Sequence, residues 1–181
     1  MIKQWLSNRL KTTPKPKVSV LMVCMGNICR SPSAEGVLRA RLQREGLADA
    51  VQVDSAGTYG GHKGAPPDAR AVAHAAKRGI NIAKLRAREV TQADFERFDL
   101  LLAMDANNLD NLRQRCPPGS HRKLRLLLSF AAAGPGAAGG EELPDPYYGP
   151  PAGFEHVLDR IEASMSGLVA ELRRRLAALP T

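Results

Sequence analysis

A chain of 181 residues, 44% hydrophobic and 24% charged, suits one compact domain with modest tails and excludes global disorder. Its formal net charge of +8 comes from scattered Lys and Arg, and only 4% of residues are aromatic. The charge therefore reads as a basic solvated surface that attracts acidic, phosphorylated substrates, and the scarcity of stacking platforms excludes a nucleic-acid binder.

Three cysteines, Cys24, Cys29 and Cys116, are too few and too odd in number for a secreted disulfide scaffold. No apolar run approaches a membrane span, and the start of the chain lacks the long apolar core of a secretory signal. The expectation is a cytoplasmic protein, not inserted in a membrane, whose thiols stay reduced.

Residues 1–17 read as a basic N-terminal tail. Ile2, Trp5, Leu6 and Leu10 sit at helical spacing, and two prolines among lysines follow. The domain is expected over 18–181. Residues 18–23, apolar and rich in β-branched side chains, predict a buried parallel strand. It stops at Cys24. Ser31-Pro32 predicts a helix start, with Ser31 as N-cap and Pro32 in the first helical position. Residues 51–53 predict a second strand, stopped at Asp54, and 58–67 a Gly/Pro loop. Helices are predicted over 68–78, 91–97 and 105–115, with strands over 99–104 and 123–128. Residues 131–142, rich in Ala and Gly, predict a surface loop. From Phe154 to Leu176 an apolar stripe at 3.6 period predicts a final, core-packing helix. Strands alternating with helices imply a parallel sheet covered on both faces, with ligands bound beyond the carboxyl ends of the strands.

The Cys24 loop falls at that position. Cys24, five residues, then Arg30-Ser31 leave a strand and enter a helix. Such a loop can turn successive N–H groups of Met25, Gly26, Asn27, Ile28 and Cys29 onto an anion, helped by the helix N-terminus. Arg30 adds a planar fork for two phosphate oxygens. Gly26 opens conformations closed to other residues, and Asn27 tolerates left-handed backbone while its amide holds the loop. The same positive field favours Cys24 as a thiolate nucleophile, with the Ser31 hydroxyl reaching the sulfur. A bare Cys-x5-Arg pattern is otherwise as consistent with a buried structural cysteine and a surface arginine. The strand before it, the Gly and Asn within it and the Ser-Pro after it favour chemistry.

Ester cleavage also needs a proton for the leaving oxygen. Asp145, in Leu-Pro-Asp-Pro-Tyr-Tyr-Gly, is the candidate general acid and later the base that activates water. Alone it would read as a turn residue. Tyr147 and Tyr148 offer flat faces to a substrate ring.

Residues 23–32 and 145–149 resemble the two signature motifs of the low-molecular-weight protein-tyrosine phosphatases, and the likeness extends through Asp54-Ser-Ala-Gly57, Pro66-Pro-Asp68, Arg78-Gly-Ile80 and residues 98–105. The resemblance implies a single-domain three-layer α/β/α fold with a four-stranded parallel, flavodoxin-like sheet. It implies phosphotyrosine hydrolysis through a phosphocysteine, with Cys24 as nucleophile, Arg30 as phosphate clamp, Asn27 and Ser31 as loop and thiolate supports, Asp145 as acid, and Tyr147 and Tyr148 as substrate walls. It implies no metal or cofactor, phosphotyrosine proteins as partners, in bacterial members tyrosine kinases of exopolysaccharide export, and a monomer or weak dimer. Cys29 matches the family's second loop cysteine, which can form a reversible disulfide with the nucleophile; a small core residue is an equal reading. The specificity loop departs from the family: Gly61 stands where many members place an aromatic wall, with Tyr59 before it and His62 after. Arg78 replaces a histidine that supports the phosphate loop in eukaryotic members; His74, one turn earlier, could substitute for it, but is expected to be a solvated surface residue. The loop over 131–142, longer than usual, bears on how Asp145 is presented.

Two other readings compete. An arsenate reductase on the same fold would need relay cysteines, for which Cys116 is the one candidate. A non-catalytic phosphate-binding module would not need the full Cys, Arg and Asp set.

Overall fold

A computed structural model describes residues 16–131 and 142–180. The aliphatic segments after the tail and after the loops form a four-stranded parallel sheet of order β2-β1-β3-β4. Its strands are β1 (Val18–Cys24), β2 (Val51–Gly57), β3 (Leu100–Ala103) and β4 (Leu124–Leu126). The helices are α1 (Arg30–Arg44), α2 (Ala69–Lys77), α3 (Gln92–Arg97), α4 (Ala106–Arg115) and α5 (Ala152–Ala177).

Every residue of β1 is buried, as a central strand sealed on both faces requires. Its side chains alternate between two cores. Val18, Val20, Met22 and Cys24 join Leu100 and Leu102 under α1 and α5. Leu21 and Val23 join Leu101, Ala103, Phe95, Phe98 and Leu112 under α3 and α4. The result is the expected three-layer arrangement. The chain leaves β1 toward β2 on one side and continues to β3 on the other, so the end of β1 is a topological switch point, and Cys24 lies there.

Two strands differ from expectation. β2 does not stop at Asp54: Asp54 to Gly57 pair with Leu21 to Cys24 in unbroken register. The polar side chains do not break it because each has a partner, Asp54 with Arg88 and Ser55 with Glu35 and Asn27. The strand predicted over 123–128 shrinks to three residues between 3-10 turns His121–Lys123 and Leu127–Phe130. The apolar stripe of the last helix packs as predicted, with Phe154, Leu158, Ile161, Leu168 and Leu172 in the core. The helical spacing of Ile2 to Leu10 and most of the 131–142 loop lie outside the described residues.

Candidate active site

The strand β1 delivers Cys24 into a loop four of whose carbonyls are engaged by groups outside the loop. Cys24 O accepts from Thr58 N, Met25 O from Tyr59 N, Ile28 O from Asp68 N, and Cys29 O from Ser33 N and Ser33 Oγ. With the carbonyls turned out, the N–H groups of Gly26, Ile28 and Cys29 donate to no acceptor among the described residues and remain for an anion. Gly57 makes this packing possible. A Cβ there would stand 2.5 Å from Met25 O and 3.2 Å from Asn27 N, so the close approach of β2 to the loop requires glycine.

Asn27 has φ 54°, the left-handed geometry anticipated for it. Both N–H groups and the oxygen of its buried amide have partners. Nδ2 donates to Ser31 Oγ at 2.9 Å and Ser55 Oγ at 3.0 Å, and Oδ1 accepts from Arg88 N at 2.9 Å. Ser31 Oγ lies 3.1 Å from Cys24 Sγ, and Asn27 N donates to that sulfur at 3.3 Å. Ser31 is therefore not the N-cap of α1. The helix begins at Arg30, with Cys29 in the cap position and no side-chain cap, because the Ser31 hydroxyl turns inward to the thiol.

A second tier was not anticipated. Ser55 Oγ donates to Glu35 Oε2 at 2.6 Å, and Arg39 pairs with Glu35 Oε1 and donates to Val53 O. Burial raises the Glu35 carboxyl above its usual range, against the Ser55 bond and the Arg39 charge. Arg78 and His74 support α5 instead of the loop. Arg78 pairs with Glu155, Asp159 and Glu162. His74 is not a solvated residue: it bonds Glu155 and stacks on Phe154.

Arg30 is buried, yet charged groups surround it. Nη1 donates to Asp105 Oδ2 at 2.6 Å and to Leu143 O at 3.0 Å, and Nη2 donates to Asp145 Oδ2 at 2.8 Å. Burial opposes the charge, but Cys24, Asp105 and Asp145 outweigh it and raise the guanidinium's pKa. Asp105, which also caps α4 through Asn108 N, has no motif chemistry of its own. Its only sequence signal is the resemblance over 98–105. Asp145 accepts Tyr147 N on its other oxygen, which fixes the turn.

These elements enclose a cleft of about 350 Å³. Cys24, Met25, Gly26, Ile28, Cys29 and Arg30 form its floor, Asp145, Tyr147 and Tyr148 one wall, and Tyr59 and His62 the other. Asn27 and Ser31 lie beneath and hold the floor. Cys29 is pushed up to about 12, first by burial, then by Asp68 and Cys24, so at neutral pH it is a thiol. Cys116 sits in the opposite core, under α4, where burial raises its pKa. It does not serve the cleft as a relay.

A parallel sheet that sets one thiol in a nest of backbone donors, beside a guanidinium and a carboxylate, is the framework of a cysteine-dependent phosphomonoesterase. The family model of the low molecular weight phosphotyrosine protein phosphatases matches residues 19–178, and the chain belongs to that family, whose members are protein-tyrosine phosphatases that act through a phosphocysteine. A low molecular weight protein-tyrosine-phosphatase of Streptomyces coelicolor is 45% identical over 159 residues, covering 87% of this chain and 94% of the relative. A protein tyrosine phosphatase of Entamoeba histolytica, solved with Hepes in its active site, superposes with a TM-score of 0.81 at 36% identity, covering 87% of this chain and 97% of the other. Vibrio vulnificus Wzb in complex with benzylphosphonate superposes at 0.72 with 26% identity, over 86% of this chain and 99% of the other.

Proposed function

We propose that this chain cleaves phosphotyrosine with Cys24 as nucleophile, Arg30 as clamp and Asp145 as acid and base, with no metal or cofactor. The observation that carries the assignment is the Cys24 sulfur itself, which is held by Asn27 N–H and Ser31 Oγ at the floor of a donor-lined cleft. Asp105 and the Leu143 carbonyl take both Nη1 hydrogens of Arg30. Nε–H has no acceptor among the described residues, and with Nη2, once it exchanges Asp145 for the phosphate, it forms a planar fork matched to two equatorial oxygens.

The Cys24 thiolate attacks phosphorus in line, and the S–P bond forms as the P–O bond to the phenol breaks. Asp145, protonated, gives its proton to the departing oxygen. Its carboxylate then takes a proton from water, which attacks the phosphocysteine. The sulfur leaves as thiolate, stabilised by Asn27 N–H and the Ser31 hydroxyl, and inorganic phosphate is released. Tyr147, Tyr148 and Tyr59 enclose the aryl ring. The benzylphosphonate bound by Wzb, a phosphonate on a benzyl group, is consistent with such a cleft.

The working partners are phosphotyrosine proteins. For a bacterial chain these include a tyrosine kinase of exopolysaccharide export, the partner class that the resemblance implies. Among the described residues no helix is long and apolar enough to cross a membrane; we place the enzyme in the cytoplasm. We also assign the catalytic domain to residues 18–181, with 1–17 as a tail outside it. The test is turnover of p-nitrophenyl phosphate with and without EDTA. Chelator-insensitive turnover that disappears in Cys24→Ser supports the assignment; equal turnover in Cys24→Ser overturns it.

A further inference from the structure

The two sides of the cleft mouth differ in how their charges are matched. On the Tyr147 side, Asp145 is taken by Arg30. Arg70 binds Asp68 through both Nε and Nη2 and lies against the Phe154 and Tyr147 rings. That side presents aromatic surface and internally neutralised charge. On the other side stands His62, followed in the chain by the exposed Lys63. The imidazole lines the cleft and meets Tyr59 edge-on at 6.0 Å between centroids. Neither His62 ring nitrogen, nor the Lys63 ammonium, has a hydrogen-bond or ion-pair partner among the described residues. The nearby carboxylate of Glu89 lies against Gly60 and is shared with Arg115.

The loop that carries them is fixed in place. Thr58 N and Tyr59 N bond the phosphate loop, Lys63 N bonds Gly60 O, and Gly64 N bonds Ala87 O. Arg115 donates to Thr58 O and Val90 O from below. His62 is set directly on the phosphate loop: a Cβ at Gly26 would come within 3.0 Å of its Cδ2 and 3.5 Å of its Nε2. Gly61 completes the arrangement, since a Cβ there would overlap the Tyr59 ring. The glycine lets Tyr59 fold across position 61 and leaves His62 facing the cleft.

A preorganised imidazole with free nitrogens, on a loop whose next residue is a lysine without an ion-pair partner among the described residues, is a site for an anion that lies beside the reacting phosphate. We propose that His62, assisted by Lys63, determines specificity by binding an acidic side chain adjacent to the phosphotyrosine, so that the enzyme prefers phosphopeptides with Asp or Glu next to the target. The proposal rests on the catalytic assignment above, and its test is a ratio between substrates that share the same chemical step.

The experiment compares kcat/KM for two phosphotyrosine peptides that differ only in Glu or Ala at the positions flanking the phosphotyrosine. The wild type should favour the acidic peptide by about tenfold, as a hydrogen bond to a charged group would give. His62→Ala should bring the ratio near unity, His62→Gln should restore part of it through its amide donor, and His62→Glu should invert it toward a Lys-flanked peptide. A ratio that stays constant across these variants, with both peptide rates falling in parallel, would show that His62 only shapes the wall, and would overturn the proposal. A wild type with no preference would overturn it too. The catalytic assignment fails if Cys24→Ser still turns over, whereas this proposal fails on the ratio between the two peptides, so the two failures are distinguishable.

Discussion

The floor and the mouth of the cleft are held by different means. On the floor, both N–H groups and the oxygen of the Asn27 amide have partners, the Cys24 sulfur has two partners, and a buried carboxylate, Glu35, stands behind them. At the mouth, Tyr148 is 96% exposed and Tyr59 54%, and the side chains touch through ring edges. The floor is over-determined and rigid because buried polar groups without partners are costly. The mouth is free to vary because its groups remain solvated. The comparison teaches that chemistry and selectivity are stored separately: damage to the floor should abolish catalysis or folding, and changes at the mouth should only redistribute substrates.

The largest effect should follow from the sulfur. Cys24→Ser should lose turnover to below detection while still binding inorganic phosphate, measured by calorimetry, because the nest of N–H groups persists. Next is Arg30→Lys, which keeps the charge but not the fork. Its kcat/KM on p-nitrophenyl phosphate should fall by roughly 10²–10³, the loss typical of an aimed transition-state donor. Asp145→Ala should lower kcat by about 10²–10⁴ on substrates with poor leaving groups, and by less on p-nitrophenyl phosphate, whose phenolate needs little protonation. Equal losses on both would remove Asp145 from the acid role.

The second tier should appear in stability. Burial holds the folded Glu35 carboxyl above its unfolded value. The folded protein therefore keeps that proton longer, and stability falls as pH rises from the ordinary carboxylate range to the raised value. Glu35→Gln should remove this component, so that its Tm relative to wild type improves as pH rises through that window; an unchanged difference would contradict the shift. The smallest effect should be at the mouth. Gly61→Trp must displace the Tyr59 ring and should change KM for aryl phosphates several-fold with little change in kcat, as expected of groups that bind ground and transition states alike.

Much of the floor could be read in the sequence because its chemistry is local. Cys24, Arg30 and Ser31 lie within one turn of chain, and the strand before and the helix after them follow from apolar pattern. The second tier could not be read that way. Glu35 sits on the inward face of α1 among residues that look like ordinary helix formers, and only the register of β2 brings Ser55 beneath Asn27. Asp105 likewise has no sequence signal beyond the resemblance, and its bond to Arg30 depends on β3 lying beside β1. The strand ends were missed for the same reason. Asp54 and Ser55 look like strand breakers until their partners, Arg88 and Glu35, are in place. The Ser31-Pro32 cap signal was overridden by a tertiary contact, the thiol of Cys24.

The central claim is that Cys24 carries the phosphoryl group. Rapid quenching of the enzyme with p-nitrophenyl phosphate, whose leaving group needs little protonation in the first step, followed by peptide mapping, measures this directly. The account predicts a phosphoryl adduct on Cys24 that accumulates in Asp145→Ala, where no carboxylate activates the water for the second step, and that is absent from Cys24→Ser. An adduct on any other residue, or steady turnover with no adduct in either protein, would contradict it.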